Sequence, residues 1–237
     1  MMEDRYGPGV FGPHPHRGIE TFTYVLGGEI EHFDNHRNEA RVGAGDALLL
    51  TAGRGIVHDE RPINGPDAHI FQLWINLPRA DKMVDARLQA LRASELPVFR
   101  SSGVEARVFS GEAAGMVAPT LNHAPFGVVE LRMEEGAAFE HAIPAGHNAF
   151  LVVIEGALVA GAADSRVNAG QIAWLDLEET PSVVRVASTA PHSRLLIVAG
   201  RPLREPVSSR GPFVMNTDAE IERAYADFRT QQLGFGA

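Results

Sequence analysis

A chain of 237 residues and 25.6 kDa has room for one large β-domain or two of ordinary size. With 45% hydrophobic and 22% charged residues it can bury cores rather than stay disordered. The absence of cysteine excludes disulfides, thiolate metal sites, iron–sulfur clusters and cysteine nucleophiles, and a formal charge of −9 disfavours coating a phosphate backbone. Short apolar runs rich in Val, Ile, Phe and Thr follow one another between Gly and Pro punctuation. In chain order they predict strands at Thr21–Leu26, Ala47–Leu50, Ile70–Leu77, Val104–Phe109, Val128–Met133, Phe150–Ile154, Ile172–Leu175, Val183–Val186 and Leu195–Ala199. A helix is predicted over Asp81–Leu91. A second is predicted over Thr217–Phe228, where Thr217 and Glu220 have capping-box spacing and Ile221, Ala224, Tyr225 and Phe228 form an apolar stripe. Neither helix follows a strand in a βαβ rhythm, so the expected class is all-β.

The longest apolar run, Ala149–Ile154, is too short to span a bilayer. Met1–Met2–Glu3–Asp4–Arg5 shows no basic region followed by an apolar stretch. The expectation is a soluble intracellular protein, cytoplasmic, or also nuclear in a eukaryote, with no direct nucleic-acid binding and no membrane association.

The sequence repeats itself. Tyr24-Val-Leu-Gly-Gly-Glu-Ile30 aligns with Val152-Val-Ile-Glu-Gly-Ala-Leu158 at an offset of 128, and Val42–Leu50 aligns with Val167–Leu175 at 125. Both landmarks are strand–Gly turn–strand units in the same order. Two related β-domains are expected, with a joint near Gly111–Pro119: residues 1–112, residues 117–203, and a tail of residues 204–237.

Two clusters in the first half carry chemistry. In extended chain the side chains alternate faces, so His14 and His16 point the same way, as do His58 and Glu60. Pro15 holds His14 in extended geometry. Three imidazoles and a carboxylate suit one divalent transition metal per chain, with Fe(II), Mn(II), Ni(II), Cu(II) and Zn(II) all compatible. Applied to the second copy, the two offsets place Ala142, Pro144, Val183 and Arg185 at these positions, which predicts one loaded domain and one without metal.

His14-x-His16, Glu20 and Gly27 resemble the first cupin motif, and Gly45-Asp46 leading to Gly53 and His58 resembles the second. More narrowly, His14–Thr21, Thr51–Glu60, Gln72–Pro78 and Gly211–Thr217 resemble the pirin family over nearly the whole chain. The resemblance implies a bicupin of two double-stranded β-helix, jelly-roll-like barrels. Metal is expected in the N-terminal one only, and the tail from about Glu205, with its helix, packs back on that domain. Chains of the family it resembles carry further strands before the His-Pro-His motif; with 13 residues there, an early strand pair is expected to be missing, lost to a misassigned start, or supplied by another part of the protein.

By matching position the family's ligands fall on His14, His16, His58 and Glu60. Glu20 shares the parity of His14 and His16, and the resemblance leaves it a neighbouring carboxylate rather than the ligand. Gln72 and Trp74, of one parity on a strand, are candidate pocket residues with Glu20. Phe11, Phe22 and Trp74 are candidate aromatics at the pocket mouth, and Arg17 and Arg54 could contact an anionic ligand. The implied activity is a quercetin 2,3-dioxygenase-like cleavage of a planar polyphenol or other enolic substrate, using Fe(II) first and Glu60 as catalytic base. The alternative is an iron-containing, redox-sensitive regulator that acts through a protein partner without catalysis. A sugar-isomerase-like cupin is a third reading, which the pirin motifs disfavour.

Overall fold

The computed structural model describes residues 2–10 and 12–230. They divide into two compact units, Met1–Ser94 with Leu203–Ala237, and Glu95–Pro202.

The first unit opens with β1 (Met2–Tyr6), β2 (His14–His16), β3 (Ile19–Gly27), β4 (Glu29–Asp34) and β5 (Glu39–Gly43). It continues with β6 (Ala47–Thr51), β7 (Ile56–Pro62), β8 (Ala68–Asn76) and β9 (Arg87–Leu91). They form one sheet of order β1-β8-β3-β6-β9 and another of order β2-β7-β4-β5, all antiparallel. The expected strands Thr21–Leu26, Ala47–Leu50 and Ile70–Leu77 lie within, or within a residue of, β3, β6 and β8. Val25, Ile30, Val42, Leu48 and Ile70 form a core cluster, and Ile19, Leu50, Ala52 and Ile56 form another. β1 was not anticipated: Met2–Tyr6 is paired along its length with Ala68–Gln72, so this sheet does have an N-terminal strand beside β8.

The helix expected over Asp81–Leu91 does not form. A 3-10 turn spans Arg79–Asp81, and Arg87–Leu91 becomes β9, the edge partner of β6. Lys82 explains the break. Its ammonium is buried and donates to Gly18 O, Asn76 Oδ1 and Val214 O, so the backbone that follows is fixed by those anchors rather than by a helical ladder.

The second unit holds β10 (Val98–Ser101), β11 (Val104–Ser110), β12 (Glu112–Ala113), β13 (Met116–Val117), β14 (Phe126–Glu134) and β15 (Ala138–Ile143). It then adds β16 (Asn148–Glu155), β17 (Ala157–Ala160), β18 (Ser165–Asn168), β19 (Ile172–Trp174), β20 (Ser182–Ser188) and β21 (His192–Gly200). Its sheets run β10-β11-β14-β21-β16-β19 and β15-β20-β17-β18, around a core that includes Val129, Leu131, Leu151, Val153, Leu158, Val186, Leu195 and Ile197.

The joint expected at Gly111–Pro119 is displaced. β11 pairs along β14, so the second unit begins at Glu95 and runs to Pro202. The Gly-rich stretch is instead a hairpin, Glu112–Ala113 against Met116–Val117, turned by Ala114 and Gly115 at positive φ.

The tail contributes β22 (Ser208–Arg210), β23 (Phe213–Met215) and α1 (Asp218–Arg229), and it belongs to the first unit as expected. Phe213, Met215, Ile221 and Ala224 pack with Val57 of β7. The capping box is formed: Thr217 Oγ1 accepts from Glu220 N at 3.3 Å, and Thr217 N donates to Glu220 Oε2 at 2.8 Å.

Strand register corrects the internal repeat. Ile30 and His32 of β4 face Pro62 and Glu60, while Leu158 and Ala160 of β17, 128 residues on, face Ser188 and Val186. Glu60 therefore corresponds to Val186, and His58 to Val184. Since His14 faces His58 and His141 faces Val184, His14 corresponds to His141 and His16 to Ile143. Loop lengths differ between the two units, so the offset slips to 127 in β2 and 126 in β7. The second unit thus keeps one imidazole of the set and replaces three with apolar side chains.

Candidate metal centre

β2 and β7 are antiparallel neighbours with His14 opposite His58, which brings the two sequence clusters together. The rings of His14 and His16 lie 4.9 Å apart, His14 and His58 4.4 Å, and His16 and His58 5.1 Å, centroid to centroid. Among the described residues, two groups have ligand atoms mutually within 4.8 Å: His14, His16 and His58, and separately His32, His58 and Glu60. His58 belongs to both. The sequence-derived quartet is therefore spread over two overlapping triads, with Glu60 on the His32 side.

The donor chemistry fits a metal. His14 Nδ1 lies 2.9 Å from Gly12 O and His16 Nδ1 3.3 Å from Pro212 O. A carbonyl only accepts, so each Nδ1 carries the hydrogen and each Nε2 keeps its lone pair. Pro212 belongs to the tail, so the tail orients the His16 ring. His58 Nε2 is buried without a hydrogen-bond partner, and Glu60 Oε1 has only His32 and His58 Nδ1 at 3.6 Å, so both atoms suit bonding to an ion. Burial, aided by the adjacent His14, pushes His16 down to about 3; burial and the neighbouring imidazoles push His58 well below its usual value. Both rings are neutral at pH 7, the state a ligand requires.

Glu60 is held on its other oxygen. Thr23 Oγ1 and Gln72 Nε2 each lie 3.3 Å from Oε2, and Tyr6 Oη donates to the Glu60 carbonyl at 3.2 Å. Burial, with Glu60 and Asp59 nearby, raises the Tyr6 phenol above its usual range, so it remains a donor.

His32 was not foreseen. It is fully buried on β4 opposite Glu60, with Nδ1 3.5 Å from His58 Nδ1 and Nε2 3.3 Å from Asp34 Oδ2. Burial alone would depress its pKa, but Asp34 and Glu60 outweigh that and raise it to about 9. A signal was present in Glu31-His32-Phe33-Asp34, where His32 and Asp34 share a face in extended chain.

A cavity of about 280 Å³ opens onto the site, lined by Tyr6, His14, His16, Glu60, Ile70, Gln72, Trp74 and Pro212. Gln72 and Trp74 of β8 line it, and so does Ile70, which shares their parity. The Trp74 indole donates to Gln72 Oε1 at 3.3 Å and meets the His16 ring edge-to-face at 5.0 Å.

Glu20 and Phe22 are not in this cavity. Glu20 is fully buried and accepts from Thr51 Oγ1 at 2.8 Å, while Phe22 packs beside Tyr24. The parity argument fails at Gly18: its φ of 78° breaks the extended run, so Thr23, not Glu20, faces Glu60. Phe11 lies outside the described residues. Arg17 is buried, donating to Arg54 O and pairing with Asp227 of α1 at 2.8 Å; Arg54 pairs with Asp85 in solvent. These pairings give Arg17 and Arg54 structural partners, in place of the anionic ligand the sequence suggested for them.

The comparisons agree with this architecture. Residues 2–75 match the family described as Pirin, and residues 128–234 match the Pirin C-terminal cupin domain. The chain is 38% identical to rat Pirin over 229 residues, covering 96% of this chain and 79% of the relative. It is 36% identical over 244 residues to a Pseudomonas aeruginosa protein whose name carries quercetin 2,3-dioxygenase as a provisional activity, covering 96% and 84%. A solved Acinetobacter baumannii structure titled quercetin 2,3-dioxygenase superposes with a TM-score of 0.87 at 32% identity, covering 98% of this chain and 83% of that one. No described helix is long and apolar enough to cross a membrane. With two cupin barrels, motifs matched in both halves and relatives alike over nearly all its length, this chain belongs to the pirin family of bicupins.

Proposed function

We propose that His14, His16, His58 and Glu60 hold one divalent transition metal, and that the centre opens the ring of a flavonol, as a quercetin 2,3-dioxygenase does. The observation that carries this reading is that His14, His16 and Glu60, linked through His58 in two overlapping donor groups, line a mainly apolar cavity of about 280 Å³. A purely structural metal site would be closed, whereas catalysis needs an open position facing space for a reactant. The names borne by the Pseudomonas and Acinetobacter relatives support the substrate class. Fe(II) is the first metal to test, and Mn(II), Ni(II), Cu(II) and Zn(II) suit the same donors.

When bound, the metal supplies a Lewis acid that acidifies an enolic hydroxyl and an exchangeable position for a small reactant. The chain does the rest. Trp74 and Ile70 form an apolar wall that receives a planar ring and excludes water. His14 and His16 are locked in tautomer and direction by Gly12 and Pro212. Among the described residues Glu60 is the one carboxylate lining the cavity, and its Oε1, which would be a ligand to the bound metal, would take the hydroxyl proton as general base once it lets go of the ion. Thr23 and Gln72, on Oε2, keep that oxygen aimed.

The test is aerobic incubation of quercetin with iron-, manganese-, nickel- and copper-loaded protein, with carbon monoxide detection. At least one form should turn over. Glu60→Gln should lower its rate about 100-fold or more, the scale of general-base catalysis. If no metal form degrades quercetin while the protein retains a protein partner in a metal-dependent way, the regulatory reading replaces this one.

A further inference from the structure

The second unit carries a cavity beside the position that corresponds to the metal centre. It measures about 500 Å³, within the roughly 300–1,000 Å³ of small-molecule sites, and its walls are mainly apolar, with Ala113, Phe126, Ile143 and Pro181 among them; exposed Glu112 and half-buried His147, whose Nδ1 lies 3.1 Å from Ala145 O, line it too. His141 also borders it. On β15 the buried positions alternate, so His141 faces inward between Phe139 and Ile143 and is only 7% exposed. Its Nδ1 is buried with no hydrogen-bond partner. A buried polar atom left that way is a standing cost to the fold, removed if a bound group completes the bond.

The site cannot hold a metal as the first one does. In register, His141 stands where His14 stands, but Ile143, Val184 and Val186 occupy the places of His16, His58 and Glu60. Among the described residues, no three donor atoms cluster around His141 as they do in the first unit, and a lone imidazole is too poor a donor set. His141 is well suited to orient a mostly apolar molecule, since a buried polar group in a mainly apolar wall fixes one end of a ligand. Burial keeps the ring's pKa below its usual value, so it is neutral and gives no counter-charge to an anion. A hydroxyl both donates and accepts, so it can pair with Nδ1 in either tautomer.

We propose that the second barrel is a metal-free binding site for a small, uncharged, mainly apolar molecule bearing one hydroxyl, held by a hydrogen bond to His141. This is independent of the chemistry at the metal centre.

The test uses the full chain, treated with chelator so that the first site does not capture the probe. 4-Fluorophenol and fluorobenzene are titrated and followed by fluorine NMR, with the histidine ring nitrogens of the unmutated protein observed in parallel. The expected result is saturable binding of 4-fluorophenol at least tenfold tighter than fluorobenzene, with a shift of the His141 ring nitrogens. His141→Phe should weaken 4-fluorophenol at least tenfold and leave fluorobenzene within about twofold. The ring-nitrogen readout needs no variant, so it decides the matter even if His141→Phe folds poorly. Equal binding of the two probes, an unmoved His141 ring, full affinity in a folded His141→Phe, or no saturable binding would each overturn the proposal.

Discussion

Two glutamates separated by forty residues share the same sequence-level credentials, and their surroundings divide their roles. Glu60 presents a buried Oε1 3.6 Å from both His58 Nδ1 and His32 Nδ1 and borders the cavity. Glu20 is bonded to Thr51 and lies away from the cavity. Glu60→Gln should therefore weaken metal binding at least tenfold in a competitive chelator titration. Glu20→Gln should keep full metal stoichiometry and instead cost about 1–3 kcal/mol in urea unfolding, because it disturbs a buried hydrogen bond. The reverse pattern would exchange their roles. The three histidines were legible because strand parity and a Pro-stiffened His-x-His leave little freedom in where the rings point. Glu20 and Phe22 were misplaced because parity does not survive a turn. At Gly18 a Cβ would lie 2.0 Å from Val214 O, so the turn is fixed by a tail segment roughly 200 residues away that no local pattern announces.

At the scale of elements, the tail is the part whose removal from register should matter most. It supplies the carbonyl that orients His16, and it is anchored by Lys82 to Val214 O, by Arg17 to Asp227 and by the packing of Ile221 and Ala224. Lys82→Met leaves the carbonyls of Gly18 and Val214 without their charged donor. It should cost about 2–3 kcal/mol, and limited proteolysis should cut the tail faster than in the unmutated chain; an unchanged cleavage rate would remove Lys82 from this role. Thr217→Ala deletes the α1 cap and should cost about 1 kcal/mol in urea unfolding, with no change in metal stoichiometry. The α1 helix was legible because cap, capping-box partner and apolar stripe all agree within twelve residues. The helix expected at Asp81–Leu91 failed for the opposite reason. Its residues are good helix formers, but Lys82 is captured by distant carbonyls and Arg87–Leu91 completes the edge of a sheet. Tertiary pairing overrides local propensity there.

For the whole molecule, the duplication was readable from Gly turns at nearly constant offset, but its fine register was not. Small differences in loop length moved the true correspondents by one residue, from Ala142 to His141 and from Arg185 to Val186. The joint was misread because Gly111–Gly115 has the composition of a linker while forming a hairpin, whereas Ser94–Pro97 carries little turn signal. The duplicated barrels then diverged in chemistry, one with four polar donors and the other with an imidazole in an apolar shell. The direct test of the metal assignment is anomalous X-ray scattering at the metal edge from crystals of manganese- or iron-loaded protein. The account predicts one strong peak per chain, roughly 2.0–2.2 Å from Nε2 of His14, His16 and His58 and from a Glu60 carboxylate oxygen. A peak centred on His32 without His14 and His16, a peak beside His141, or no ordered metal at all would contradict it.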